Sequence, residues 1–89
     1  MLYVKPNIET INMGTFKVQD PGGNVKWVKA IDTANGTIEF TDRESQAYYR
    51  SGDYFSKAEG EYIKFNFQKD HPELKNLVVI LDGGREYRP

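Results

Sequence analysis

The sequence predicts an α+β domain. A small antiparallel sheet, made of a meander over residues 14–41 and a central strand near 76–82, carries one amphipathic helix over about 53–67 on one face. Three observations lead there. Short alternating segments between residues 14 and 41 are separated by strong turn chemistry. Residues 54–67 place apolar side chains at helical spacing. Leu77-Val78-Val79-Ile80-Leu81 is a continuous apolar run of strand length, the pattern of a strand covered on both faces. With 89 residues, the whole of 1–89 is read as one domain, too short for a second core.

Leu2-Tyr3-Val4 reads as a short edge strand closed by Pro6, which cannot donate to a ladder. Gly14 to Gln19 alternates, with Phe16 and Val18 sharing a face. Asp20-Pro21-Gly22-Gly23 then supplies a turn. In the next strand, Val25 to Ile31, simple alternation sets Val25, Trp27 and Ile31 on one side and Lys26, Val28 and Ala30 on the other. Asn35-Gly36 is the strongest hairpin signal in the chain. Thr37 to Thr41 returns as a strand with Ile38 and Phe40 inward. Aromatic residues are 13% of the chain against 38% for all hydrophobic types. The core is therefore expected to rest on a few large rings: Phe16, Trp27, Phe40, Tyr62 and Phe65.

Thr41-Asp42-Arg43-Glu44 has capping-box spacing and predicts one or two helical turns through Ala47, interrupted by Tyr48-Tyr49-Arg50. Beyond Ser51-Gly52-Asp53 two periods compete. At about 100° per residue, Tyr54, Phe55, Ala58, Tyr62 and Phe65 share one arc, opposite Lys57, Gly60, Glu61 and Lys64. Ile63, Phe65 and Phe67 alternate with polar neighbours as a strand would. The helical stripe spans more residues, so a helix is predicted, although Gly60 within it costs about 1 kcal/mol. Gln68 to Glu73 is a polar connection bounded by Pro72. Asp82-Gly83-Gly84 ends the last strand, and residues 85–89 form a polar tail expected to fray.

Twelve basic and thirteen acidic side chains leave a net charge of −1, interleaved along the chain. A phosphate-binding protein usually carries an excess of Lys and Arg, so nucleic acid is the weaker expectation. There are no cysteines, which removes disulfides and thiolate metal sites. No apolar run approaches the roughly 20 residues of a membrane span. A cytoplasmic protein with no membrane association is expected.

No residue pattern points to catalysis, to a metal or to a cofactor, and none is assigned. His71 is the only histidine, flanked by Asp70 and Glu73 on a Pro-containing loop, and reads as solvated surface. Asp82-Gly83-Gly84-Arg85 follows a strand, but no helix follows it, so it reads as a turn. The carboxylate pairs Asp42 with Glu44 and Glu59 with Glu61 stand two apart and do not face each other on a helix. The chain is therefore expected not to be an enzyme.

Tyr48, Tyr49, Arg50, Tyr54 and Phe55 form the candidate binding cluster. Five large planar groups within eight positions exceed what so small a core can take, and exposed Tyr and Arg favour binding surfaces. The expected function is that of a small accessory protein acting through protein–protein contacts. In length, lack of cysteine and hairpin-then-helix layout the chain resembles the short orphan proteins of bacteriophages and mobile elements, many of which inhibit host factors. That resemblance rests on layout and carries no residues over. The alternatives are a single-strand nucleic-acid binder, should Tyr54 to Phe67 be strand and close an OB-like barrel, and an oligomer that sequesters a small ligand. Unpaired sheet edges also leave room for a homodimer.

Overall fold

The computed structural model describes residues 13–89; the edge strand expected at Leu2 to Val4 lies outside them. The element order is β1 (Met13–Gln19), β2 (Val25–Asp32), β3 (Thr37–Thr41), β4 (Tyr49–Ser51), α1 (Asp53–Phe67), β5 (Val78–Ile80) and β6 (Glu86–Tyr87), with short 3-10 turns at Glu44–Gln46, Pro72–Asn76 and Asp82–Gly84. The strands form one antiparallel sheet in the order β3-β2-β1-β5-β6, and α1 packs against it. The predicted α+β arrangement is the observed one.

β1 organises the sheet. Along one edge its C-terminal half pairs with β2, Lys17 opposite Trp27, and its N-terminal half pairs with β4, Thr15 opposite Tyr49. Its other edge holds β5, with Phe16 opposite Val79. The turn after β1 is closed by Asp20, whose carboxylate accepts from the Asn24 amide at 2.9 Å. The β2–β3 turn is closed by Asp32, which accepts from the amides of Ala34 and Asn35. In both turns a short acidic side chain satisfies backbone donors that the ladder leaves free.

A bulge in β2 corrects the expected facing of its residues. Register shifts between Val28 and Ala30, leaving Lys29 as the extra residue. A bulge advances the alternation by one position. Val28, opposite Phe40, and Ile31, opposite Ile38, therefore both meet the core. Val28 is fully buried, whereas Val25 is exposed and Trp27 only half-buried.

The core consists of Phe16, Val18, Val28, Ile63, Phe67, Leu74, Leu77, Val79 and Leu81, with Phe40, Ile38, Ile31, Tyr48 and Tyr87 packed at its margin. Of the five rings expected inside, Phe16 is central and Phe40 marginal. Trp27 lies outside the core, and Tyr62 and Phe65 are exposed. Leu74 and Leu77, beyond the connection read as polar, fill that volume instead. The 3-10 turn over Pro72–Asn76 packs against β1 and α1, so both leucines join the core on the helix side of the sheet.

Two further expectations change. Thr41 does not cap a helix at Glu44: its hydroxyl accepts from the Arg43 amide and donates to Gln46, and only the turn Glu44–Gln46 follows. Residues 85–89, expected to fray, contribute β6, and the Pro89 carbonyl accepts from Lys64 Nζ at 2.6 Å.

Candidate functional site

α1 spans Asp53–Phe67, the limits the periodicity predicts, but it presents the opposite face to the sheet. Its buried residues are Ser56, Gly60, Ile63 and Phe67. On a wheel of about 100° per residue these four occupy an arc of about 60°, centred diametrically opposite the stripe Tyr54, Phe55, Ala58, Tyr62 and Phe65. The stripe is exposed throughout: Tyr54 at 76% and Phe55 at 54%, both placed in the candidate binding cluster, and Tyr62 at 37% and Phe65 at 70%, both expected in the core.

The small inner residues explain the choice. A Cβ on Gly60 would overlap Val79 and come within 3.7 Å of Phe16, and one on Gly14 of β1 would overlap Ser56. Phe16 already fills the space above β1, so the helix must offer a hollow, and Ser56 and Gly60 provide it. The Ser56 hydroxyl, fully buried, donates to the Arg50 carbonyl at 2.8 Å. Ile63 and Phe67, on the same helix face, are buried in one cluster with Phe16, each contributing about 1.5–3 kcal/mol of transfer free energy.

The five sequence-predicted site residues divide into three groups. Arg50, Tyr54 and Phe55 come together: the Arg50 guanidinium lies 5.3 Å from the Phe55 ring centre, and Tyr54 meets Phe55 edge-to-face at 5.3 Å. Tyr48 belongs to the packing, stacked on Phe16 at 5.9 Å with its hydroxyl donating to Glu59 Oε1 at 2.8 Å. Tyr49 is exposed, and strand alternation sets it on the face of the sheet away from the helix. There it neighbours Trp27, since both pair along the same edge of β1, at Thr15 and Lys17.

Ala58, Tyr62 and Phe65 complete the exposed surface, although Tyr62 and Phe65 are expected in the core. A second apolar stripe, Ile63 and Phe67 above the small Ser56 and Gly60, was present in the same segment as the signal that the aromatic side is free. Beside the aromatic stripe runs a notch of about 250 Å³, lined by Thr33, Arg50, Phe55, Ala58, Glu59 and Tyr62. Arg50 Nε stands 4.0 Å from Glu59 Oε1, so the notch carries one charge of each sign within an aromatic frame.

Other features are structural. Lys26 pairs with Glu73 and lies 4.1 Å from the Phe40 ring centre, against which His71 packs edge-on at 5.2 Å. The Lys26 hydrogen bond holds the Glu73 carboxyl below its ordinary range. A concavity of about 440 Å³ reaches from Asp20 to Phe40 and Asp42, but its lysine, Lys26, is already engaged in this way. Arg85 pairs with Asp53 at 2.6 Å and is held above its ordinary range by that bond. Among the described residues no cluster of three or more His, Cys, Asp or Glu is placed to hold a metal ion, and no helix is long and apolar enough to cross a membrane. No family model matches the chain, and comparisons with curated proteins and with solved structures give no match either.

Proposed function

We propose that this chain is a small non-enzymatic binding protein that works by protein–protein contact through the outer face of α1. One observation carries the reading: Tyr54, Phe55, Ala58, Tyr62 and Phe65 stand in one exposed stripe while a different face of the same helix fills the core. Phe55, Ala58, Tyr62 and Phe65 stand at i, i+3, i+7 and i+10 with Tyr54 beside them, and exposed apolar residues along one helix face are the anchors of a helix that docks into, or against, an apolar partner surface. Tyr and Phe supply large contact area at low conformational cost, and Arg50 with Glu59 supplies polar rim contacts. Acting by occupancy and not by chemistry, the protein serves to cover an apolar protein surface, the class of role suggested by its likeness in layout to phage-type orphan proteins.

A second reading has one observation in its favour. Trp27 and Tyr49 stand side by side on the helix-free face of the sheet, and the Lys17 ammonium lies 5.8 Å from the Trp27 ring centre. Rings beside a cation can stack bases of a single strand. An OB-like barrel needs strand at Tyr54 to Phe67, which is helix, so the open sheet face is the surface this reading would use.

Tagged protein incubated with bacterial lysate, with and without nuclease, distinguishes the two. A stoichiometric protein retained after nuclease treatment, and lost with the double substitution Phe55→Ala and Phe65→Ala, supports docking through α1. Retention unaffected by those substitutions overturns it. Partners released by nuclease and by Trp27→Ala favour the nucleic-acid reading.

A further inference from the structure

We propose that the partner of the α1 face is a second copy of this chain, packed helix against helix across a twofold axis. This inference rests on the docking role of α1 argued above. The stripe is self-complementary in one orientation. In an antiparallel pair whose axis passes level with residue 60, Phe55 lies opposite Phe65 of the other copy, and Ala58 lies opposite its Tyr62. Rings thus meet rings at the two ends, and in the middle a ring meets the one small residue of the stripe. Large side chains set against small ones give the interlocking that close helix packing needs.

Charge agrees with this pairing. The helix and its rim carry Arg50, Lys57 and Lys64 against Asp53, Glu59 and Glu61, three of each sign, on a chain of net charge −1. The helix face itself is therefore neutral, and the single negative charge per chain opposes pairing only weakly. A twofold perpendicular to antiparallel helices brings like margins together, so Lys57 of each copy runs alongside Glu61 of the other. Both now border Tyr87: its hydroxyl donates to Glu61, and the Lys57 ammonium lies 5.5 Å from its ring centre.

Area bounds the interface. The fractional exposures of Tyr54, Phe55, Tyr62 and Phe65 amount to roughly 450 Å² per copy at ~200 Å² per aromatic residue. With the rim the pair buries at most about 1,200 Å² in total, the lower end for a specific interface. Area alone fixes no dissociation constant, so the test spans a wide range of concentration.

Sedimentation equilibrium of the full chain from about 1 to 500 μM tests this. The apparent mass of the unmodified protein is expected to rise from monomer to twice that value. Phe55→Glu and Phe65→Glu, at exposed positions, are each expected to remain monomeric at every concentration with unchanged circular dichroism. Glu61→Lys is expected to weaken the dimer about tenfold, and Lys57→Glu combined with Glu61→Lys to restore it. A monomer throughout, or a dimer indifferent to Phe55→Glu and Phe65→Glu, overturns the proposal. A monomer that still loses a captured protein on Phe55→Ala and Phe65→Ala substitution overturns self-pairing alone and leaves α1 as a docking face for another protein.

Discussion

Gly60 of α1 sits directly over Val79 of β5, so close that no side chain fits between them. This contact sets the helix's distance from the sheet and its rotation about its own axis. Rotation in turn decides which residues face solvent, so the exposed aromatic stripe follows from a glycine on the opposite side.

Substituting Gly60→Ala tests that dependence. In an exposed helix the change would stabilise by about 1 kcal/mol. Here the added methyl overlaps Val79, which is fully buried with Phe16 beside it. Overpacking of this kind costs about 1–3 kcal/mol. The overlap with backbone-anchored Val79 outweighs the propensity gain, and a net loss of up to about 2 kcal/mol is expected, or up to roughly 10 °C in Tm for a domain of this size. A higher Tm in thermal unfolding would show that the helix can lift or turn freely.

Alanine substitutions along α1 should separate its two faces. Ile63→Ala and Phe67→Ala remove buried groups and are expected to cost about 2–5 kcal/mol. Tyr54→Ala and Phe65→Ala, at 76% and 70% exposure, should change stability by no more than about 0.5 kcal/mol. Urea unfolding at protein concentrations below about 1 μM measures all four free of self-association. Equal losses on both faces would mean that the stripe is buried within one chain.

Much of this fold is legible in the sequence for local reasons. Asp20 and Asp32 close their turns with their own carboxylates, and the helix limits follow from period and from Gly52. The rotation of the helix is not legible, because periodicity identifies an axis and both stripes contain apolar residues. Choosing between them requires knowing that Phe16 already fills the space above β1. The strand at Tyr49–Ser51 depends on pairing with Met13–Thr15, more than thirty residues earlier, and three residues carry no period of their own. Lys29 looks like any outward residue of an alternating strand until Phe40 fixes its neighbour Val28 inward. Within Tyr48–Phe55 the surplus of rings over core volume makes the exposure of Tyr49, Tyr54 and Phe55 legible, whereas the exposure of Tyr62 and Phe65 depends on the helix rotation.

The Lys26–Glu73 pair predicts a dependence on acid. Glu73 has a lowered pKa in the fold, first because Lys26 hydrogen-bonds it. The unfolded chain therefore takes up the proton first as pH falls. The pair's contribution is complete above about pH 4.5, the ordinary carboxyl value, and disappears as pH falls through the lower folded value. Glu73→Gln should cost about 1 kcal/mol at pH 7, and the difference from the unmodified protein should narrow as pH falls below 4.5. Urea unfolding of the two proteins across that range measures it. A gap that persists undiminished at pH 3 would assign the effect to packing.

Tyr48 joins β1, the approach to β4 and α1, and it predicts the complementary behaviour in base. Its ring stacks on Phe16 and its hydroxyl reaches Glu59. Its pKa is raised, first by burial and then by the Glu59 bond and charge. The folded state thus holds the phenolic proton more tightly than the unfolded chain. That stabilisation is fully present below pH 10, the ordinary phenol value, and is lost as pH rises from there through the folded value. Tyr48→Phe keeps the stack and removes the hydrogen bond, so about 1 kcal/mol should be lost at pH 7. Tyr87 is also held above its ordinary value, by Glu61, so the single-protein curve mixes two phenols. Subtracting the Tyr48→Phe curve isolates Tyr48, and the difference should shrink above pH 10. A difference that stays constant to pH 11 would mean that the hydroxyl contributes through shape, with no preference for its neutral form.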